Sequence, residues 1–171
     1  MAERGVGGGS AKPAAAPGTT DPLEMFRDRF ARYRALAEQH GDAAAWEALL
    51  EGYPERQKAH MGPLISGARL ADGFRKAVPM FQRFGLDMEV FDVSNAGVDA
   101  ALEVQRRCPF SALGKEHGFE RPCRVICEMD VEATRRAFPE LRGAVLCARA
   151  DGHAVCVFKY ERPDPQRGEG A

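Results

Sequence analysis

The residues of this 171-residue chain best suited to chemistry are its cysteines, at positions Cys108, Cys123, Cys127, Cys147 and Cys156. The N-terminus carries no apolar segment of the kind that directs export, so we expect free thiols. An odd count also excludes a complete disulfide framework. Free thiols can pack in a core, bind a metal or cluster, or act as nucleophiles.

Spacing places some of these thiols together. Cys123 and Cys127 fall in a stretch predicted to be helical over residues 120–137, where residues four apart share a face. Asp130 follows Cys127 by three residues and belongs to the same face. Cys108 ends a predicted strand and begins a loop, where functional side chains are common.

Near the C-terminus, Asp151-Gly152 predicts a two-residue turn joining strands over residues 144–149 and 153–160. That turn would pair Cys147 with Cys156 as close cross-strand neighbours.

A metal site is chemically open to these thiolates, because zinc and iron–sulfur clusters take three or four of them. The cysteine spacings contain no compact Cys-x2-Cys knuckle, so spacing alone does not identify such a site.

The elements that would position the thiols follow from periodicity. Asp21 is a candidate helix cap, Gly41 ends the first helix, and Pro54 is predicted to close the second. A third helical region covers residues 64–84 and is predicted to kink or split at Pro79. Residues 88–93 and 98–104 follow as strands joined by Asn95-Ala96-Gly97, and the alternation in the second predicts one covered face.

The order of elements predicts an α+β fold, with N-terminal helices packed on an antiparallel sheet built from two hairpins with an intervening helix. Residues 1–20 and 162–171 are rich in small and polar residues, so we predict disordered tails flanking a single domain over residues 21–161.

Charge and hydropathy exclude several classes of protein. Lys and Arg number 24 against 25 Asp and Glu, giving a net charge of −1, which argues against a nucleic-acid module. No apolar run approaches the roughly 18 residues of a membrane span, so we expect a cytoplasmic protein with no membrane partner.

Four short motifs carry a family resemblance over residues 86–161. They are Cys108-Pro109-Phe110 followed by Leu113-Gly114, then Cys127-Glu128-Met129-Asp130, then Gly152, and finally Cys156-Val157-Phe158-Lys159. In order and spacing they resemble the L-2-amino-thiazoline-4-carboxylic acid hydrolase family. The resemblance implies a small α+β protein that opens a thiazoline ring by hydrolysis on the route to cysteine.

Carried over position by position, the resemblance singles out Cys108, Cys127, Asp130 and Cys156 as catalytic residues. Two mechanisms stay open. A thiolate could attack the C=N carbon, with Asp130 or Glu128 moving the proton. Alternatively, Cys108, Cys127 and Cys156 could hold a thiolate-bound metal, zinc or an iron–sulfur cluster, that activates water. We predict that the four side chains converge on one pocket between the helix and the sheet.

The leading interpretation is therefore a small cytoplasmic enzyme of hydrolase type. Its substrate would be a small heterocycle containing sulfur or nitrogen, or an amino-acid derivative, in specialised metabolism. The alternative is a non-catalytic sensor module that binds a metal or small ligand, similar to vinyl-reductase domains. A third interpretation is an accessory protein whose thiols only pack.

Overall fold

Four helices occupy the N-terminal half of the computed structural model, which describes residues 21–67 and 69–164. They are α1 (Glu24–His40), α2 (Asp42–Leu50), α3 (Tyr53–Ile65) and α4 (Leu70–Gln82). The Asp21 carboxylate accepts the Leu23 N–H just before α1. Gly41, at φ +85°, separates α1 from α2, a conformation that glycine adopts without steric cost.

The helix boundaries differ from the predicted ones at both prolines. Pro54 lies in the first turn of α3 instead of closing α2, because a first-turn proline loses no helical hydrogen bond. The region 64–84 is divided between two helices, since α3 ends at Ile65 and α4 begins at Leu70, and Pro79 lies inside α4. α3 and α4 approach closely there, since a Cβ on Gly73 would lie 2.6 Å from the Leu64 carbonyl oxygen.

The C-terminal half forms the predicted antiparallel sheet. Its strands are β1 (Asp87–Asp92), β2 (Val98–Arg107), β3 (Arg142–Cys147) and β4 (Cys156–Pro163), in the order β1-β2-β4-β3. Between β2 and β3 lie α5 (Phe110–Glu116) and a π-helical turn (Arg124–Glu128) that continues into α6 (Met129–Ala137). The predicted α+β architecture, with helices packed on two hairpins, is confirmed.

The register of the second hairpin corrects the predicted thiol pairing. A 3₁₀ turn over Arg149–Asp151 and a bulge between Val145 and Cys147 replace the two-residue turn. The connection consequently spans residues 148–155, and Cys147 pairs with Val157. The predicted pairing of Cys147 with Cys156 is wrong, because an irregularity in one strand shifts every pair beyond it.

The covered face of β2 is the polar one. Asp99 and Glu103 lie on the helix-covered face with Ala101 and Gln105, whereas Val98 on the other face is exposed. Asp99 is structural: its carboxylate accepts the Leu70 N–H at the start of α4 and pairs with Arg162 Nε at 3.0 Å.

Arg162 lies in β4, past the predicted domain boundary at residue 161. Residues 1–20 and 165–171 of the predicted tails lie outside the described residues.

Candidate functional site

A cavity of about 350 Å³ lies between the N-terminal helices and the covered face of the sheet. Aromatic rings from α1, α4, α5 and β4 and from the segment after α4 form much of its wall: Phe26, Phe74, Phe81, Phe84, Phe110 and Phe158. Some pack directly on one another, with the Phe26 and Phe110 ring centroids 4.4 Å apart. The volume falls in the range of small-molecule sites, and apolar walls are typical of them.

The cavity opens to solvent beside two exposed methionines. Met25, near the start of α1, and Met80, near the end of α4, both contribute to its lining. Their flexible thioether side chains can adapt to a molecule entering between these helices.

Two polar side chains of β2 form part of the cavity lining. Glu103 and Gln105 are 6% and 7% exposed, respectively. Gln105 Nε2 donates to Met88 Sδ at 3.7 Å, while its Oε1 has no hydrogen-bond partner among the described residues. Burial, with a smaller contribution from Asp130, raises the pKa of Glu103 to about 8, so its carboxyl group is mostly neutral at pH 7.

Asp130, by contrast, has a full set of partners. It accepts hydrogen bonds from Tyr53 Oη at 2.6 Å and from Gln57 Nε2 at 2.9 Å. Gln57 Nε2 also donates to Thr134 Oγ1 at 3.0 Å. Burial raises the pKa of Asp130, against the opposing effects of the Tyr53 hydroxyl and the nearby Arg29. This network joins α3 to α6 along one wall of the cavity.

The two arginines that line the cavity, Arg29 and Arg56, both lie over the ring of Tyr53 on α3. The Arg29 guanidinium lies 4.5 Å from the centroid of the Tyr53 ring, and its Nη2 is 3.0 Å from Met129 Sδ. Arg56 lies over the same ring at 5.2 Å. No ion pair in the described residues joins either guanidinium to Glu103.

Four of the thiols form a cluster that adjoins the cavity at Cys127. Cys123 hydrogen-bonds with both Cys127 and Cys156, and Cys108 is close enough to influence Cys156 and Cys127 electrostatically. The Arg149 N–H donates to Cys156 Sγ at 3.3 Å. Of the residues predicted to share a pocket, Cys127 and Asp130 line the cavity, whereas Cys108 and Cys156 do not.

The environment of these thiols favours their protonated form. Burial raises the pKa of Cys108 to about 11, and hydrogen bonding with Cys127 raises that of Cys123 to about 12. For Cys156, hydrogen bonding with Cys123 raises the pKa. The hydrogen bond with Cys123 lowers the pKa of Cys127, but burial and the charges of neighbouring groups outweigh it, so that this pKa is raised as well. A nucleophilic cysteine requires the opposite shift.

No three His, Cys, Asp or Glu side chains are placed to hold a metal ion in the described part of the chain. The zinc or iron–sulfur site stays a prediction of the sequence.

Sequence reasoning missed Glu103, Gln105 and Tyr53. The available signal was the alternation in β2, where Asp99, Glu103 and Gln105 fall on one face; the alternation predicts one covered face but does not show which face it is. The π-helical turn carrying Cys127 was also missed; such turns are frequent at functional sites.

The fold places this chain in a class of α+β proteins with helices over one face of a four-stranded antiparallel sheet and a cavity between the layers. It is similar to the phenol-responsive sensory domain of the transcription activator PoxR, crystallised with phenol. The TM-score is 0.52 at 12% identity, covering 80% of this chain and 73% of that domain. At that identity the likeness concerns the fold alone.

No protein-family model matches the chain, and no curated protein matches its sequence. Within the described residues, every helix is too short or too polar to cross a membrane.

Proposed function

We propose that this protein is a small-ligand-binding module of the sensory type, whose ligand occupies the aromatic cavity. The observation that carries the proposal is the cavity itself, a mostly apolar space of about 350 Å³ with two buried polar groups of β2 in its lining. Small-molecule sites combine these features, in which apolar walls supply affinity and a few polar groups fix orientation.

The comparison supports the proposal at the level of fold. PoxR's sensory domain, of similar fold, is described as phenol-responsive and was crystallised with phenol. The thiol environment also favours binding over chemistry, because raised thiol pKa values disfavour a thiolate nucleophile.

The test uses cavity-filling variants and an apolar fluorescent probe, N-phenyl-1-naphthylamine. We expect saturable fluorescence enhancement with the unaltered protein and its loss in Leu86→Trp, since Leu86 is buried and lines the cavity. Met80→Trp, at the exposed mouth, fills the same space with less risk to folding. Leu146→Trp, on exposed β3, is the matched control and should keep full binding.

Thermal melting checks that each variant folds. Absence of saturable binding, or equal loss in Leu146→Trp and in both cavity variants, would overturn the proposal.

A further inference from the structure

The lining contributed by β2 carries two largely buried polar side chains, Glu103 and Gln105, that leave hydrogen-bonding capacity unused within the described residues. Gln105 Oε1 is the buried side-chain oxygen without a partner among the described residues. The Glu103 carboxyl, 6% exposed, makes no hydrogen bond or ion pair there either. An unsatisfied buried polar atom costs free energy, so a ligand that supplies donors at this point recovers it.

The spacing of the two acceptors limits the kind of donor. Glu103 and Gln105 are separated by one residue on β2 and project from the same face, about 7 Å apart at the backbone. A hydroxyl group donates one hydrogen bond, whereas an ammonium group donates three and can reach both acceptors from a position between them.

The charges around the cavity also favour a cation beside Glu103. The titratable or charged groups facing it from the surrounding elements are Arg29 on α1, Tyr53, Arg56 and His60 on α3, Cys127 and Asp130 on the last helix, and Tyr160 on β4.

Both arginines stack on Tyr53, and Asp130 holds the hydrogen bonds of Tyr53 and Gln57. Glu103 is thus the acidic group in this set that lacks a counter-charge. Its raised pKa keeps it mostly neutral at pH 7, and a bound cation would favour its ionised form.

The aromatic wall can contact both an apolar group and a cation of one ligand. Phenylalanine rings bury an apolar body and also attract a cation placed over their faces. Six of them line the cavity.

We infer that the ligand of this cavity is an apolar organic amine, bound with its ammonium group between Glu103 and Gln105 and its apolar body among the phenylalanine rings. This inference rests on the proposed function and specifies its ligand class.

The experiment compares three probes of similar shape by isothermal titration: benzylamine, benzyl alcohol and toluene. We expect the unaltered protein to bind benzylamine at least tenfold more tightly than benzyl alcohol. In Glu103→Gln, benzylamine affinity should fall at least tenfold, while toluene affinity changes less than twofold. Glu89→Gln, which removes the same charge from exposed β1, is the matched control and should bind all three like the unaltered protein.

The outcomes separate the two proposals. If toluene and benzyl alcohol bind but benzylamine has no advantage, or Glu103→Gln leaves benzylamine affinity intact, the amine inference is wrong and the binding function stands. If none of the three binds, the cavity is not a site for small apolar molecules, and the proposed function fails with the inference.

Discussion

The buried carboxyl group of Glu103, which has no ion pair within the part of the chain that the structure describes, makes the folded state sensitive to pH. Unfolded Glu103 titrates near 4.5, whereas burial raises its pKa to about 8 in the folded protein. Between those values the folded chain keeps a proton that the unfolded chain has released. The free energy of unfolding should therefore fall as pH rises from about 4.5 to about 8, by up to roughly 1.4 kcal/mol per pH unit for one proton.

Glu103→Gln should lessen this slope and raise the melting temperature at pH 8, because a neutral amide needs no proton. Chemical denaturation of both proteins at pH 5, 6, 7 and 8 measures the difference. Parallel stability curves would contradict the assigned environment of Glu103.

The thiols should differ in reactivity according to their surroundings. Cys108, Cys123, Cys127 and Cys156 have raised pKa values, and the last three are buried. Cys147 is half-buried at the edge strand β3. Brief treatment of the folded protein with iodoacetamide at pH 7.5 should alkylate Cys147 first, since only thiolates react.

Peptide mass spectrometry identifies the modified residue, and urea-unfolded protein, in which all five thiols react, is the control. Preferential alkylation of Cys127 or Cys156 would contradict their raised pKa values and would support a nucleophilic role for that cysteine.

At the scale of elements, one glycine of the resemblance motifs has a packing role. A Cβ on Gly114 in α5 would lie 2.1 Å from Pro122 Cβ and 3.2 Å from the Phe30 ring. Gly114→Ala should therefore destabilise the protein by about 1–3 kcal/mol through overpacking.

Gly62→Ala is the matched control, because that helical glycine of α3 has no atom within 4 Å of the added methyl. It should be neutral or slightly stabilising. Denaturant midpoints of the two variants check the pair; equal effects would mean that α5 does not pack as described.

Local signals predicted the element types well and the element contacts poorly. The spacing of Phe26, Phe30 and Tyr33 was enough to predict α1, because apolar residues that recur at helical spacing form the buried face of a helix. Asp151-Gly152 predicts the register that most of the second hairpin has, from the pair Arg142 and Glu161 to the pair Val145 and Phe158. The bulge before Cys147 was not predictable, since it depends on contacts outside the turn.

The covered face of β2 illustrates the same limit for the site. Alternation shows that two faces differ but does not show which one the helices cover. Asp99 is buried because the start of α4 and Arg162 satisfy it, and both partners are distant in sequence. The roles of Glu103 and Gln105 were consequently not predicted, and the pocket predicted between helix and sheet was assigned to the thiols and Asp130 instead. The thiols of the helix and of β4 do meet, and of these only Cys127 lines the cavity.

For the whole molecule, a buried ion pair beyond residue 161 contributes to the C-terminal boundary. Arg162 is paired with Asp99, whose side chain is 1% exposed. A chain ending at Asp164 should keep nearly full stability, because residues 165–171 contain no large apolar side chain. A chain ending at Glu161 removes Arg162 and leaves Asp99 without that partner, a loss that costs roughly 3–5 kcal/mol for buried pairs.

Arg162→Met, in the chain ending at Asp164, removes the charge while keeping the strand and should be destabilising too. The melting temperatures of these three proteins test whether the pair of Arg162 with Asp99 stabilises the fold. Equal stability of the chains ending at Asp164 and at Glu161 would place the boundary at residue 161, as predicted from composition.

The central claim, that the cavity between helices and sheet is a ligand site, can be tested through the methionine methyl groups. Met25, Met61 and Met80 line the cavity, whereas Met88 and Met129 are buried outside its lining. In methyl-labelled protein titrated with toluene and with benzylamine, the NMR signals of the first three should shift saturably and by more than those of the other two. Unchanged spectra, or shifts confined to Met88 and Met129, would contradict the account.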